Sequence, residues 1–174
     1  MTKALDNAGQ IQQYIAPQSV IANQLRYRIP KIQLCLLHEG FHPESLYSIG
    51  NPTDADNLLL PLRMAAEEHF VSLHLNARNQ LIGLHEVSHG TLSSSLVHPR
   101  EVFKAAFVAN SYAILVCHNH PSGAKILPSP DDLSVTDQLL KSGRIVGIPL
   151  IDHLIVGPNQ EAYSIRANFP ELWD

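Results

Sequence analysis

A chain of 174 residues, 45% hydrophobic and with a mean hydropathy of −0.02, has the length and apolar content of one globular domain with a real core. Twelve Lys plus Arg against sixteen Asp plus Glu leave a net charge of −4, which argues against the basic footprint of a dedicated nucleic-acid binder. No apolar run approaches the ~20 residues that span a bilayer, and two cysteines without C-x-x-C spacing argue against a disulfide framework or a Cys-type zinc site.

In chain order, residues 1–6 have neither the charged nor the apolar region of a secretory leader, so a cytoplasmic protein is expected. Residues 1–50 read as an N-terminal extension. Within it Ile32, Leu34 and Leu36 alternate as in a strand over 31–37, which Gly40-Phe41-His42-Pro43 breaks. Asn51-Pro52-Thr53-Asp54 marks an N-cap before a helix over about 54–67, with Pro61 a candidate kink. Strands over 70–75 and 81–87 flank a polar turn at 76–80 and predict a hairpin. His98-Pro99-Arg100-Glu101 opens a helix to about Asn110, with Pro near the first helical position, where its missing N–H costs little.

Residues 112–118 form an apolar, β-rich strand, and 131–142 a second helix ended by Gly143. Residues 150–156 and 161–165 flank Gly157-Pro158-Asn159-Gln160 and predict a closing hairpin. The order β-β-α-β-α-β-β describes an α/β domain, a mixed sheet flanked by helices. Cys117 points away from the face that carries His118 and reads as a small buried apolar residue.

Chemistry concentrates in His118-Asn119-His120-Pro121-Ser122-Gly123 and the following Pro128-Ser129-Pro130-Asp131-Asp132. In an extended segment residues i and i+2 share a face roughly 6–7 Å apart at Cα, so His118 and His120 can converge on one ion while Asn119 faces elsewhere. Neutral imidazoles are good zinc ligands, and an Asp from the start of the next helix would complete a three-ligand site that keeps a position for water. Ten histidines agree with metal chemistry without locating it.

His85-Glu86-Val87-Ser88-His89 spells a competing H-E-x-x-H. That motif needs a helix, where residues i and i+4 lie ~6 Å apart on one face. Gly83, Gly90 and the strand pattern from Leu81 place it on a strand instead, where the two histidines would lie ~13 Å apart. They read as partly exposed residues beside the cleft.

The loop resembles the JAMM motif of MPN-type metalloproteins, and within it the RadC family: H-N-H-P-S-G, then P-S-x-x-D. Similar stretches follow the family's order over about 52–174: Glu68-His69-Phe70-Val71-Ser72-Leu73-His74-Leu75-Asn76, Gly90-Thr91-Leu92, His98-Pro99-Arg100-Glu101 and Asp152-His153-Leu154-Ile155-Val156-Gly157. The resemblance implies an MPN/JAMM-like, cytidine-deaminase-like fold over 51–174, with zinc held by His118, His120 and an aspartate. The loop between Gly123 and Pro128 is one residue longer than the family's usual spacing. Keeping Ser129-x-x-Asp in register selects Asp132, and keeping the distance from His120 selects Asp131. Asp132 is preferred, because loop length is tolerant and the Ser–Asp offset at a helix start is not.

The resemblance also implies Glu68 as the general base, with Glu67 and Glu86 as fallbacks. It gives Ser129 a role in steadying an oxyanion, in competition with the ordinary fate of Ser as a helix cap. One residue of Asp152-His153, whose side chains lie on opposite faces, is a candidate to orient a ligand imidazole.

The function this implies is a zinc-dependent hydrolase of amide or isopeptide bonds, acting on a protein or peptide. Two other classes stand beside it. One is a DNA-repair or mobile-element accessory protein, which the acidic balance does not favour, and residues 1–50 show no Gly-rich helix-hairpin-helix of the kind fuller RadC-like proteins carry. The other is a non-catalytic MPN scaffold with structural zinc.

Overall fold

In the computed structural model, which describes residues 3–5, 11–13, 47–90, 97–121, 126–158 and 160–174, the chain divides into two units, Met1–Gly40 and Phe41–Asp174. In the first, β1 (Lys3–Leu5) pairs antiparallel with β2 (Ile11–Gln13). The strand expected over 31–37 and its break at 40–43 lie outside the described residues.

The second unit begins with α1 (Pro52–Leu58), whose N-cap Asn51 accepts from Asp54 N–H at 3.0 Å while the Asp54 carboxylate accepts from Asn51 N–H at 3.2 Å. The single helix expected over 54–67 is instead α1 and a short α2 (Leu60–Arg63), interrupted at Leu59. Pro61 has no N–H to continue the ladder, so the chain restarts rather than bends. It leaves the helix before Glu67 and Glu68, which frees those residues to lead into a strand.

Five strands then form one sheet in the order β4-β3-β5-β6-β7: β3 (His69–Leu75), β4 (Leu81–His89), β5 (Ala113–Asn119), β6 (Leu150–Val156) and β7 (Tyr163–Ser164). All neighbours are antiparallel except β5 and β6, which are parallel across a helical crossover. The mixed α/β sheet expected from the element order is therefore present. The closing hairpin is shorter than expected, because Ile165 starts a one-turn helix, α5 (Ile165–Asn168), capped by Ser164.

Side-chain alternation divides the sheet into two buried faces. Phe70, Ile114, Val116 and Leu150 pack with Val102, Phe103 and Ala106 of α3 (Pro99–Val108) and with Val135, Leu139 and Leu140 of α4 (Pro130–Val146). On the other face Val71, Leu73, Leu75, Leu115, Cys117, Leu154 and Val156 pack with Ala55 and Leu59. Cys117 is fully buried there, as expected, and burial pushes its thiol well above the usual range.

One boundary is corrected. Helix α4 runs past Gly143 to Val146 and stops at Gly147, whose φ of 74° is the left-handed cap conformation that glycine favours. Gly143 lies inside the helix, at a position where a Cβ would sit 2.6 Å from the Ile148 carbonyl oxygen. It permits close approach and does not end the helix.

Candidate metal centre

The topology brings three chain segments to one edge of the sheet. Strand β5 ends at His118 and Asn119, with His120 one residue beyond. Because β3 runs antiparallel to β5, its first residues lie beside that end, with Phe70 opposite His118, and Glu68 is delivered from just before β3. The crossover from β5 to the parallel β6 then supplies the N-terminus of α4 at the carboxyl end of β5, the usual position for a site in sheets with parallel strands.

Four of the residues expected from the sequence converge there. His118 Nε2 lies 3.0 Å from His120 Nε2 and 3.2 Å from Asp132 Oδ1, and His120 Nε2 lies 3.9 Å from Asp132 Oδ2. Glu68, His118 and His120 each offer a ligating atom, and these atoms lie within 4.8 Å of one another. Ligands ~2.0–2.2 Å from a tetrahedral zinc stand roughly 3.3–3.6 Å apart, so the observed separations bracket that value. Asp131, the alternative third ligand, is exposed. Of the fallback bases, Glu67 and Glu86 are both exposed, and Glu86 is engaged by His69 Nδ1 at 2.6 Å.

Burial sets the state of His118. His118 is completely buried, and desolvation lowers its pKa to about 4 against the opposing pull of Asp132. A neutral ring facing a carboxylate at 3.2 Å gains no ion-pair attraction, whereas a cation between them would be held by both groups. The N/O donor set suits zinc.

Asp132 is held by the first turn of α4. Ser129 N–H and Oγ–H donate to Asp132 Oδ2 at 2.7 and 2.6 Å, and Asp132 N–H donates back to Ser129 Oγ at 3.1 Å, a reciprocal capping box. The hydroxyl's one hydrogen is thus directed at the Asp132 carboxylate. The helix cap and the candidate metal ligand are built from the same pair.

Behind His118 lies a second buried tier. His118 Nδ1 is 2.9 Å from His153 Nε2, and His153 Nδ1 is 2.7 Å from Thr136 Oγ1. Phe70 stacks parallel to His118 at 6.1 Å and meets His153 edge-on at 5.5 Å. Of the Asp152-His153 pair, His153 reaches the ligand. Asp152 instead ties β6 to α5, accepting from Ser164 Oγ–H at 2.6 Å and Arg166 N–H at 3.1 Å.

Sequence reasoning does not single out two of the residues here. Asn119, between the histidines and fully buried, accepts from His69 N–H at 2.7 Å and donates to the Glu67 carbonyl at 2.9 Å. It clamps the backbone on both sides of Glu68. Thr136 is the other, one turn beyond Asp132. A polar residue at a buried sheet or helix position beside a ligand is the available signal for both.

The H-E-x-x-H residues are on strand β4, as expected, and not on a helix. His85 pairs across to Ser72, while Glu86 lies 2.6 Å from His69 and 3.9 Å from His89. Ser122 and Gly123 lie outside the described residues.

Comparison with known proteins places the chain beside a recognised domain family. The model of a RadC-like JAB domain matches residues 49–169. A UPF0758 protein of Bacillus cereus (strain 03BB102) is 45% identical over 118 residues, which are 67% of this chain and 52% of that protein. UPF0758 proteins of Bacillus anthracis (strain CDC 684 / NRRL 3495) and Bacillus thuringiensis subsp. konkukian (strain 97-27) match at the same identity and coverage. The chain spans about half the length of these curated relatives.

Proposed function

The chain belongs to the RadC-like JAB domain family, and on that premise we propose that it is a zinc-dependent hydrolase of amide or isopeptide bonds in a protein or peptide. The observation that supports the reading is the approach of His118, His120 and Glu68 to within 4.8 Å of one another, with the Asp132 carboxylate 3.2 Å from His118 and 3.9 Å from His120. His118, His120 and Asp132 would hold the ion. Bound there, a zinc ion would supply Lewis acidity, bringing a water's pKa towards ~7 and polarising a substrate carbonyl.

Glu68 would act as the general base. Its carboxylate lies within 4.8 Å of the ligating nitrogens, a span that one water can bridge, and Asn119 fixes the backbone around it. It takes the proton from the attacking water and returns it to the leaving amine. Ser129 orients Asp132 in the resting geometry. To steady the developing oxyanion as well, its hydrogen must turn away from Asp132, a single rotation about the C–O bond.

A Glu68→Gln variant tests this assignment. It should keep zinc at the wild-type stoichiometry and lose turnover on a peptide or isopeptide library. Turnover equal to that of the wild type would remove Glu68 from the reaction.

A further inference from the structure

The buried tier behind His118 carries more information than its distances alone, because each of its hydrogens can be assigned. Thr136 Oγ1 lies 2.6 Å from the Asp132 backbone carbonyl and 2.7 Å from His153 Nδ1. A carbonyl only accepts, so the hydroxyl's one hydrogen lies on that contact. Pointing it at His153 instead would leave two oxygens face to face with no hydrogen between them, in a site where Thr136 is fully buried.

The Thr136 oxygen is then an acceptor, and His153 Nδ1 must carry the hydrogen. His153 is fully buried, and its ring meets His118, Thr136 and Phe70 with no carboxylate among them. The neighbouring Asp152 carboxylate accepts from His153 at the backbone N–H, at 2.7 Å, and not at the ring. An imidazolium there would be an uncompensated buried charge, so the ring is neutral and its Nε2 is bare. The 2.9 Å contact with His118 then needs a hydrogen from His118 Nδ1. That leaves His118 Nε2 as a lone pair directed at His120 and Asp132.

We infer that Thr136 and His153 are positioning residues which lock His118 in the Nδ1–H tautomer and present its Nε2 to the metal. The relay runs from His118 Nδ1–H to His153 Nε2, from His153 Nδ1–H to Thr136 Oγ1, and from Thr136 Oγ1–H to the Asp132 carbonyl. It closes on itself, because Asp132 also supplies a carboxylate to the same point. The first turn of α4 therefore sets both the anionic ligand and the tautomer of the imidazole ligand. A neutral acceptor behind His118 achieves this without burying a further charge, and donation from Nδ1 raises the basicity of Nε2.

The inference rests on the reading of His118 as a metal ligand, but its test does not depend on zinc. Long-range 1H–15N correlation spectra of the full, metal-free chain report which ring nitrogen of each histidine bears hydrogen. His118 and His153 should both show the Nδ1–H form. Thr136→Val, which removes the acceptor, should abolish that preference at His153 and weaken zinc binding ~10–100-fold in a chelator competition, while Thr136→Ser keeps both. An Nε2–H form of either histidine in the wild type, or wild-type zinc affinity in folded Thr136→Val, overturns the relay. Should Thr136→Val not fold, the wild-type spectrum decides alone. Failure of the wild-type chain to bind zinc would sink the metal reading and leave the tautomer result standing on its own.

Discussion

Asn119 of β5 accepts a hydrogen bond from the backbone N–H of His69 at 2.7 Å, so the residue between His118 and His120 holds the strand that begins beside Glu68. Its amide also donates to the Glu67 carbonyl. Asn119→Ala leaves both part-buried backbone groups without this partner, and an unsatisfied polar group there costs at most about 1–3 kcal/mol. Urea unfolding should show a loss of about that size, with zinc still bound at one per chain. An unchanged midpoint would show that the clamp contributes nothing.

Asp131 and Asp132 separate cleanly by exposure and contact. Asp132→Asn should weaken zinc binding by at least tenfold, because it removes the ligand charge and disturbs the Ser129 capping box. Asp131→Asn, at an exposed position, should leave affinity within a few-fold of the wild type. Chelator competition on the two variants tells them apart, and the reverse ranking would move the third ligand by one residue.

His74 provides a pH signal remote from the candidate metal centre. Its ring bonds Ser72 Oγ and Ser111 Oγ at 3.1 Å each, and burial first, then the nearby His85, lowers its pKa to about 4. The folded state therefore resists protonation there, while the unfolded chain takes it up near 6.5. Stability from this group is complete above pH 6.5 and falls as pH drops towards about 4, by roughly 3 kcal/mol in all. The difference in unfolding free energy between the wild type and His74→Gln should shrink across that window. A difference independent of pH would show that His74 does not titrate as described.

Gly143 and Gly147 should fail differently when changed to alanine. At Gly143 the new methyl meets the Ile148 carbonyl at 2.6 Å, a backbone group that cannot step aside, and overpacking of that kind costs about 1–3 kcal/mol. At Gly147 there is open space, and the cost is only the left-handed φ of 74°, about 1 kcal/mol. Equal thermal shifts for the two variants would contradict this account of the helix end.

The sheet is readable in the sequence because its strands carry alternating or continuous apolar runs, and the hairpin from β3 to β4 follows from that pattern with its polar turn. The rejection of H-E-x-x-H follows from the same strand geometry. What is not readable depends on contacts distant in sequence. Glycine in a helix pattern usually marks a stop, which puts the end of α4 at Gly143, whereas here Gly143 accommodates a neighbouring backbone. The break between α1 and α2 turns on whether Pro61 kinks or interrupts, which local propensity does not decide. Likewise strand alternation turns Asn119 away from the histidines, but its partners on residues 67 and 69 exist only once β3 lies against β5.

The most direct test of the metal centre is elemental analysis of the purified chain beside two double variants. About one zinc per wild-type chain is expected, none in His118→Ala/His120→Ala, and one in His85→Ala/His89→Ala. Full zinc in the first variant, or its loss in the second, would contradict this expectation.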